Sequence, residues 1–281
     1  MNLVFDAWRE QIESHERDAA AFGGGHGHDH GHGHGHGRGH RTFNYANRPL
    51  DPYRTDDAVL NGLYSILGTD ADVLDVGGGA GRYALPLATR ARRVTVVEPS
   101  GDSVETLTTR AAEAGLGNIT VINEPWEDAE APAADIVLCS LVLHHVPDAV
   151  PFVRKMQEHA RGRVVLVEMM ETPGALEVPF FERVHGFAPT PLPGLPDVLN
   201  LLWAMDIFPD VTMVSADAAV LDADREAAVE QLRRRFGVSE GTETDERLLA
   251  AADELLEETP EGWAVRGVAP RRQAIVTWRP G

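Results

Sequence analysis

The stretch VLDVGGGAG, residues 73–81, joins a short apolar, β-branched run to a glycine-rich turn. This order predicts a buried strand that ends in a tight connection to a helix. Glycine tolerates positive φ and lets a ligand approach the backbone closely. A nucleotide or nucleoside is therefore expected at the end of this strand, although a tight turn can also need glycine where no ligand binds.

Outward from this stretch, short β-branched segments alternate with amphipathic segments. Strands are predicted at residues 71–77, 92–98, 119–123, 135–141, 162–168, 209–215 and 272–278. Helices are predicted at about residues 55–67, 78–90, 102–115 and 148–160, and two acidic stretches, about 222–236 and 244–258, are interpreted as solvated helices. The alternation predicts an α/β fold with a doubly wound, mostly parallel sheet and helices on both faces.

The chain is predicted to divide into an N-terminal segment, residues 1–42, and a main domain, residues 43–281. Val4, Phe5, Trp8 and Ile12 stand at helical spacing, which predicts a helix over residues 3–20. The low-complexity run GGGHGHDHGHGHGHGRGH, residues 23–40, follows it and is predicted to be a flexible linker.

The histidines of this run alternate with glycine or aspartate, and imidazoles on a flexible backbone can bind nickel, zinc, cobalt or copper. The candidate metal ligands are His26, His28, His30, His32, His34 and His36. Low-complexity repeats also arise without a metal role, so a physiological function of the run stays open, and metal is not expected in catalysis.

Composition restricts the possible partners. The formal net charge of −19 disfavours nucleic acids and anionic membranes. No run reaches the roughly 20 apolar residues of a membrane helix, and the N-terminus lacks the pattern of a signal peptide. Cys139 is the single cysteine, which excludes an internal disulfide framework and fits a reducing compartment. A cytoplasmic protein is expected, of undetermined oligomeric state.

Glu98 closes the second predicted strand, twenty-one residues after Gly77. In doubly wound nucleoside-binding folds a carboxylate at this place accepts hydrogen bonds from both ribose hydroxyls and disfavours a 2′-phosphate. The turn and Glu98 together therefore favour a nucleoside-containing cofactor more strongly than the glycines do alone.

Four segments occur in order along the chain: DVGGGAG (75–81), VVEPS (96–100), NEPWED (123–128) and DIVLCSLVLHHVPD (135–148). Together they resemble the ordered motifs of class I, Rossmann-like S-adenosylmethionine-dependent methyltransferases, over residues 71 to about 171. The resemblance implies a seven-stranded sheet with an antiparallel last strand, and S-adenosylmethionine as the cofactor.

The resemblance also implies a set of cofactor-binding residues. Asp75 would help to hold the methionine amino end, Glu98 the ribose, and Trp126 and Glu127 would lie near the adenine. Pro125 stands where an acidic residue often accepts the adenine amino group, so Glu124 or Glu127 would have to substitute. The whole expected set is Asp75, Gly77, Gly78, Gly79, Gly81, Glu98, Trp126, Glu127 and Ser140.

Candidate catalytic residues follow the fourth and fifth strands. His144 and His145 come after the fourth strand, where a neutral imidazole can act as a general base. Alternatively the pair caps the strand or packs on the cofactor. Glu168 and Glu171 follow the fifth strand, and each is open to a structural or surface interpretation. Residues 139–142, Cys-Ser-Leu-Val, lack the motifs of nucleic-acid base methyltransferases.

The segment between the fifth and sixth strands is longer than a single connecting helix requires. Residues 172–210 are therefore predicted to form a helical cover over the acceptor site. The candidate lining residues, which could equally pack on the sheet, are Phe180, Phe181, His185, Phe187, Leu201 and Trp203.

The function predicted from the sequence is methyl transfer to a small molecule. One alternative is a non-catalytic S-adenosylmethionine-binding protein whose histidine run senses or stores metal. Another is an NAD-dependent oxidoreductase, which the register of the glycines and the lack of a Tyr-x-x-x-Lys pair disfavour.

Overall fold

The computed structural model describes residues 2–23, 51–171, 178–217, 220–268 and 271–281. Its strands are β1 Asp72–Val76, β2 Arg93–Val97, β3 Ile119–Ile122, β4 Ala134–Ser140, β5 Ala160–Met169, β6 Asp210–Asp217, β7 Val220–Asp222, β8 Leu256–Thr259, β9 Gly262–Val265 and β10 Arg271–Trp278. Its helices are α1 Leu3–Gly23, α2 Ala58–Ile66, α3 Ala84–Ala88, α4 Gly101–Glu113, α5 Ala149–His159, α6 Val178–His185, α7 Leu195–Ala204, α8 Arg225–Phe236 and α9 Glu243–Leu255.

Seven strands form the main sheet, in the order β3-β2-β1-β4-β5-β10-β6. Neighbouring strands from β3 to β5 pair in parallel, whereas β10 is antiparallel to both β5 and β6. All seven lie at strands predicted from the sequence. The predicted sheet with an antiparallel last strand is therefore confirmed.

Helices cover both faces of this sheet, which explains why its central strands carry buried apolar residues on both faces. Val73 of β1 packs with α2, α3 and α4 on one face. Leu74 and Val76 of the same strand pack with α1, α5 and α7 on the other face. Successive side chains of β1 point to opposite faces of the sheet, so this strand contributes to two hydrophobic cores, one on each face.

Two predicted helix boundaries are wrong. Helix α2 is capped by Asp57, whose carboxylate accepts a hydrogen bond from the Leu60 amide, so it begins later than the predicted residue 55. Arg54 also binds the Asp57 carboxylate, which fixes it in the capping position. Helix α3 spans five residues, Ala84–Ala88, because the turn that follows β1 uses residues up to Tyr83.

A second, three-stranded antiparallel sheet in the order β7-β9-β8 was not predicted. Its strands have three or four residues each, too few to show a clear alternation in the sequence. The acidic helices α8 and α9 pack with it, so each has a buried apolar stripe in addition to its solvated surface. Between α8 and α9, Arg233 forms a buried ion pair with Asp245.

Helices α6 and α7 belong to different cores. Phe180 of α6 is fully buried with α8 and α9, whereas Leu201 of α7 is buried against the main sheet. Trp203 of α7 is 49% exposed. Phe180 and Leu201 therefore lie in separate apolar clusters, because α7 uses its apolar face on the main sheet, and the expected cover over the acceptor site stays a prediction.

Helix α1 packs into the main core although it begins at the third residue. Trp8 and Ile12 are buried in the same cluster as residues of β1, β4 and β5. Three contacts beyond the apolar cluster, described below, also hold the helix. The division of the chain at residue 42 stays a prediction.

Candidate functional site

The turn after β1 requires glycine for steric reasons. Gly77 has φ +72°, and a Cβ atom there would lie 2.6 Å from Cγ2 of Val142. Gly81 has φ +88°, and its Cβ would lie 2.4 Å from Cδ1 of Leu107. Any other residue would be strained in the backbone and would clash at both positions. The turn therefore passes close to the end of β4, with no room for side chains at Gly77 and Gly81.

Glu98, which directly follows β2, is fixed against this turn. Its Oε2 accepts a hydrogen bond from the Gly79 amide at 2.9 Å, and its Oε1 accepts one from the Ser100 amide at 2.9 Å. The Asn123 side chain donates to the Glu98 carbonyl at 2.8 Å. A mostly buried carboxylate is thus held at the end of β2, beside the glycines, as the sequence predicted.

Asp75 lies within β1 and is also buried. Burial, and secondly the charge of Glu98, raise the pKa of Asp75 to about 7. A Cβ atom on Gly78 would lie 2.8 Å from Oδ2 of Asp75, so the turn folds closely over this carboxyl group. A cationic ligand nearby would favour the ionised form of Asp75.

The end of β4 has an unusual backbone. Leu141 adopts φ +56°, a conformation that is rare for a non-glycine residue and is found most often at functional sites. A 3₁₀ turn, Leu143–His145, follows. The His144 and His145 rings lie 4.3 Å apart between centroids, and His144 is 4% exposed. This turn brings a buried imidazole to the carboxyl edge of the sheet.

Glu168, near the end of β5, is 1% exposed. Its Oε2 lies 3.6 Å from Nδ1 of His144. Its Oε1 is buried and has no hydrogen-bond partner within the part of the chain that the structure describes. Of the predicted catalytic residues, the structure thus brings His144, His145 and Glu168 together.

Cys139 of β4 stands between these carboxyl groups. Burial, then Glu168 and then Asp75, raise the pKa of the Cys139 thiol well above its usual value. The thiol is therefore neutral and a poor nucleophile, since nucleophilic attack requires the thiolate. Its place in the apolar core agrees with a structural role.

The remaining predicted residues have other surroundings. Trp126 is buried, donates from its indole nitrogen to the Phe152 carbonyl at 3.3 Å, and packs against α5. Glu127 is exposed, and Ser140 is half-buried at the last position of β4. Glu171 is exposed and forms an ion pair with Arg272 at 2.7 Å, which supports the surface interpretation. The contacts of Trp126 are those of a packing residue, and its contact with the adenine stays a prediction.

Sequence reasoning missed the contribution of α1 to this edge of the sheet. The Trp8 indole donates to the Val146 carbonyl at 2.9 Å, one residue after the histidine turn, and Arg9 pairs with Asp148. Further along α1, Asp18 accepts a hydrogen bond from the Thr190 amide at 2.8 Å. Helix α1 therefore links the histidine turn to the segment between α6 and α7.

A cavity of about 690 Å³ lies at the opposite, amino edge of the sheet, away from these groups. Its wall includes Arg161, which pairs with Asp135 and with the buried Asp72. Arg92 and secondly Arg161 and Arg93 hold the pKa of Asp72 well below its usual range, against the effect of burial. These ion pairs indicate that Arg161, Asp135 and Asp72 have a structural role.

Two negative findings apply to the described residues. None of their helices is long and apolar enough to cross a membrane. No group of three or more His, Cys, Asp and Glu side chains among them is placed to hold a metal ion. The candidate ligands His26, His28, His30, His32, His34 and His36 lie outside the described residues.

The fold and the residues at the carboxyl edge of the sheet together indicate the class of domain. A doubly wound sheet with an antiparallel last strand, a glycine turn after β1 and a carboxylate after β2 is the Rossmann-like arrangement of a nucleoside-binding domain. Residues 73–162 match the family described as methyltransferase domain. Residues 73–162 are therefore similar to a methyltransferase domain, within a sheet of the Rossmann-like class.

Among curated proteins, the chain is 28% identical over 123 residues to a ubiquinone biosynthesis O-methyltransferase of Rickettsia akari. This match covers 42% of the chain and 49% of the relative, so it spans about half the length of that protein. The match does not identify the methyl acceptor of this chain.

Two solved structures show the likeness of the fold. A protein from Bacillus halodurans C-125, described provisionally as a methyltransferase, has a TM-score of 0.55 and 16% identity over 79% of this chain and 97% of its own. The cyclase SpnF has a TM-score of 0.50 and 17% identity over 78% of both chains. Since a cyclase shares this architecture, the fold alone does not define the reaction.

Proposed function

We propose that this protein binds S-adenosylmethionine and transfers its methyl group to a small molecule. The observation that carries the proposal is the pair of buried carboxyl groups, Asp75 and Glu98, beside the glycine turn of a methyltransferase domain. Neither forms an ion pair with an arginine or lysine of the described residues. Buried carboxylates without a basic partner are costly, and a ligand with positive charge would stabilise them.

S-adenosylmethionine fits this charge, because its sulfonium and ammonium groups are cationic, and it supplies an activated methyl group when bound. Glu98 would bind the ribose hydroxyls, and Asp75 would help to hold the amino end. The backbone of the glycine turn, around Gly77 and Gly79, would lie along the nucleoside. These roles extend the sequence-based assignment.

The protein's own task in such a reaction is to hold the acceptor in line and to accept a proton from it where one must leave. His144 is suited to the second task, because it is buried beside Glu168 and an imidazole can accept a proton near neutral pH. The net charge of −19 supports a small-molecule acceptor over a nucleic acid.

The proposal is tested first by ligand-dependent stability. S-adenosylhomocysteine at one hundred times its dissociation constant should stabilise the folded protein by about 2.7 kcal/mol, and NAD should not. Sustained formation of S-adenosylhomocysteine from S-adenosylmethionine with a panel of acceptors then separates an enzyme from a binding protein. Equal stabilisation by NAD, or no stabilisation by either compound, would contradict the assignment.

The raised pKa of Asp75 leads to a pH-dependent affinity. The ionised fraction of a group with pKa about 7 rises about tenfold between pH 6 and pH 8. If the ionised form holds the ammonium group, S-adenosylmethionine should bind up to about tenfold more tightly at pH 8 than at pH 6. In the free protein the same shift removes stability as the pH rises from about 4 to 7, so the proton and the ligand compete.

Calorimetry at the two pH values measures this effect. Asp75→Asn is the matched control, since it keeps the shape of the side chain and cannot ionise there. The control should bind weakly at both pH values and lose the pH dependence. The same tenfold gain in the Asp75→Asn variant would assign the titration to another group.

The histidine run is expected to be separable from the methyltransferase domain. Replacing His26, His28, His30, His32, His34 and His36 with serine keeps the length of the segment and removes the imidazoles. We expect loss of tight nickel and zinc binding, with affinity for S-adenosylhomocysteine and the unfolding temperature unchanged. A fall in cofactor affinity would instead place metal in the mechanism.

A further inference from the structure

We propose that Glu168 binds the methyl acceptor, and that the acceptor is an uncharged or cationic small molecule with a proton-bearing hydroxyl or amine. This inference rests on the proposed function and adds the acceptor class to it. The feature that carries it is the buried Oε1 atom of Glu168, which has no hydrogen-bond partner among the described residues.

Such an atom is rare in a folded protein. Buried polar side-chain atoms are nearly always hydrogen-bonded, and an exception commonly marks a catalytic or ligand-binding group. Burial of a carboxylate without partners costs several kcal/mol. The other carboxylate oxygen of Glu168, Oε2, gains little stabilisation from His144, because Nδ1 of His144 lies 3.6 Å away, beyond a normal hydrogen bond. A donor group on a ligand would complete the coordination of Glu168.

The sheet order places Glu168 away from the nucleoside end. The strands β2, β1, β4 and β5 are consecutive neighbours, and adjacent strands lie about 4.8 Å apart. Glu98 follows β2 and Glu168 lies near the end of β5, so the two stand three strand spacings apart along one edge. The match to methyltransferase domains ends at residue 162, before Glu168. Glu168 therefore lies outside the segment that is similar to methyltransferase domains.

The charge at this edge of the sheet further restricts the chemical class of the acceptor. Asp75, Glu98 and Glu168 give this edge a negative potential, and the structure shows no arginine or lysine paired with them in the described parts of the chain. A carboxylate or phosphate acceptor would be repelled at close range. A hydroxyl or amine, in contrast, donates the hydrogen bond that Glu168 lacks.

Glu168 and His144 can together take up the proton that methyl transfer releases from such an acceptor. The acceptor's oxygen or nitrogen forms a bond to the methyl carbon, and the sulfur keeps the electron pair of the broken C–S bond. The acceptor's proton passes to the Glu168–His144 pair and from there to solvent. No oxidant or further reactant is needed.

The test uses the full chain loaded with S-adenosylhomocysteine and three probes that share one ring: phenol, benzylamine and benzoate. Calorimetry measures their binding to wild type, to Glu168→Gln, and to the exposed control Glu158→Gln. We expect phenol or benzylamine to bind at least tenfold more tightly than benzoate to wild type and to the control. Glu168→Gln should lose this preference and keep its affinity for S-adenosylhomocysteine within about twofold.

A second measurement separates a binding role from a structural one. If Glu168 mainly stabilises the fold, Glu168→Gln should lower the unfolding temperature of the free protein. If Glu168 instead serves to bind a ligand, removing its buried charge should leave the unfolding temperature of the free protein unchanged or raise it. No preference for the donor probes in wild type, including no binding by all three, overturns the proposal, as does a lowered unfolding temperature. Failure of wild type to bind S-adenosylhomocysteine would instead overturn the proposed function.

Discussion

Glu98→Ala should weaken binding of S-adenosylhomocysteine by about 100-fold. The carboxylate is expected to accept two hydrogen bonds from the ribose, and a bond to a charged group contributes at least about 1.5 kcal/mol. Two such bonds amount to about 3 kcal/mol, which is roughly two powers of ten in affinity. The variant also loses the hydrogen bonds from the Gly79 and Ser100 amides, so the turn itself becomes less ordered.

Calorimetry on folded protein measures this loss. Glu98→Gln, which keeps an acceptor oxygen but no charge, should show an intermediate loss, and Glu105→Ala, at an exposed position on α4, should bind like wild type. Unchanged affinity in a folded Glu98→Ala variant would mean that the ribose is held elsewhere. The nucleoside site would then have to be reassigned.

Trp8→Ala should have the largest effect on stability, a loss of about 3 to 5 kcal/mol. The side chain is 4% exposed in the main core, and its indole donates to the Val146 carbonyl. Since folded proteins are stable by only about 5 to 15 kcal/mol, this loss should lower the unfolding temperature by about 10 °C or more. Methyl transfer should fall as well, because Val146 follows the histidine turn.

Thermal unfolding and turnover below the new midpoint measure the two effects. Leu3→Ala is the matched control, since Leu3 lies on the same helix and is 82% exposed. We expect that control to stay within about 0.5 kcal/mol of wild type. If the Trp8→Ala variant keeps wild-type stability and turnover, α1 does not contribute to the folded, active domain.

The sheet was predictable because its strands carry strong local signals. Segments such as VLDV and RVVLV are continuous and β-branched, as strands buried on both faces must be. The positions of Glu98, His144 and Glu168 follow from the same pattern, since the carboxyl ends of parallel strands meet at one edge. The edge at which these residues meet could therefore be predicted from the sequence, whereas their binding of the cofactor stays a prediction.

Long-range packing could not be read from the sequence in the same way. The apolar residues of α6 and α7 show that both helices are amphipathic, but not that Phe180 and Leu201 face separate cores. Likewise, Trp8 has an ordinary helical spacing, and its partner Val146 is distant in the chain. The missing partner of Glu168 Oε1 is a property of the assembled site and has no signal in the sequence.

The placement of α1 has a consequence for the order in which the protein can fold. Its two specific anchors, the Val146 carbonyl and the Thr190 backbone, lie 138 residues beyond Trp8 and 172 residues beyond Asp18. At a synthesis rate of about 5 to 20 residues per second, the helix must wait roughly 10 to 35 seconds before both anchors exist. Helix α1 therefore leaves the ribosome well before the segments on which it docks. During that interval Trp8 and Ile12 are exposed, and chaperones that bind apolar helices have time to capture them.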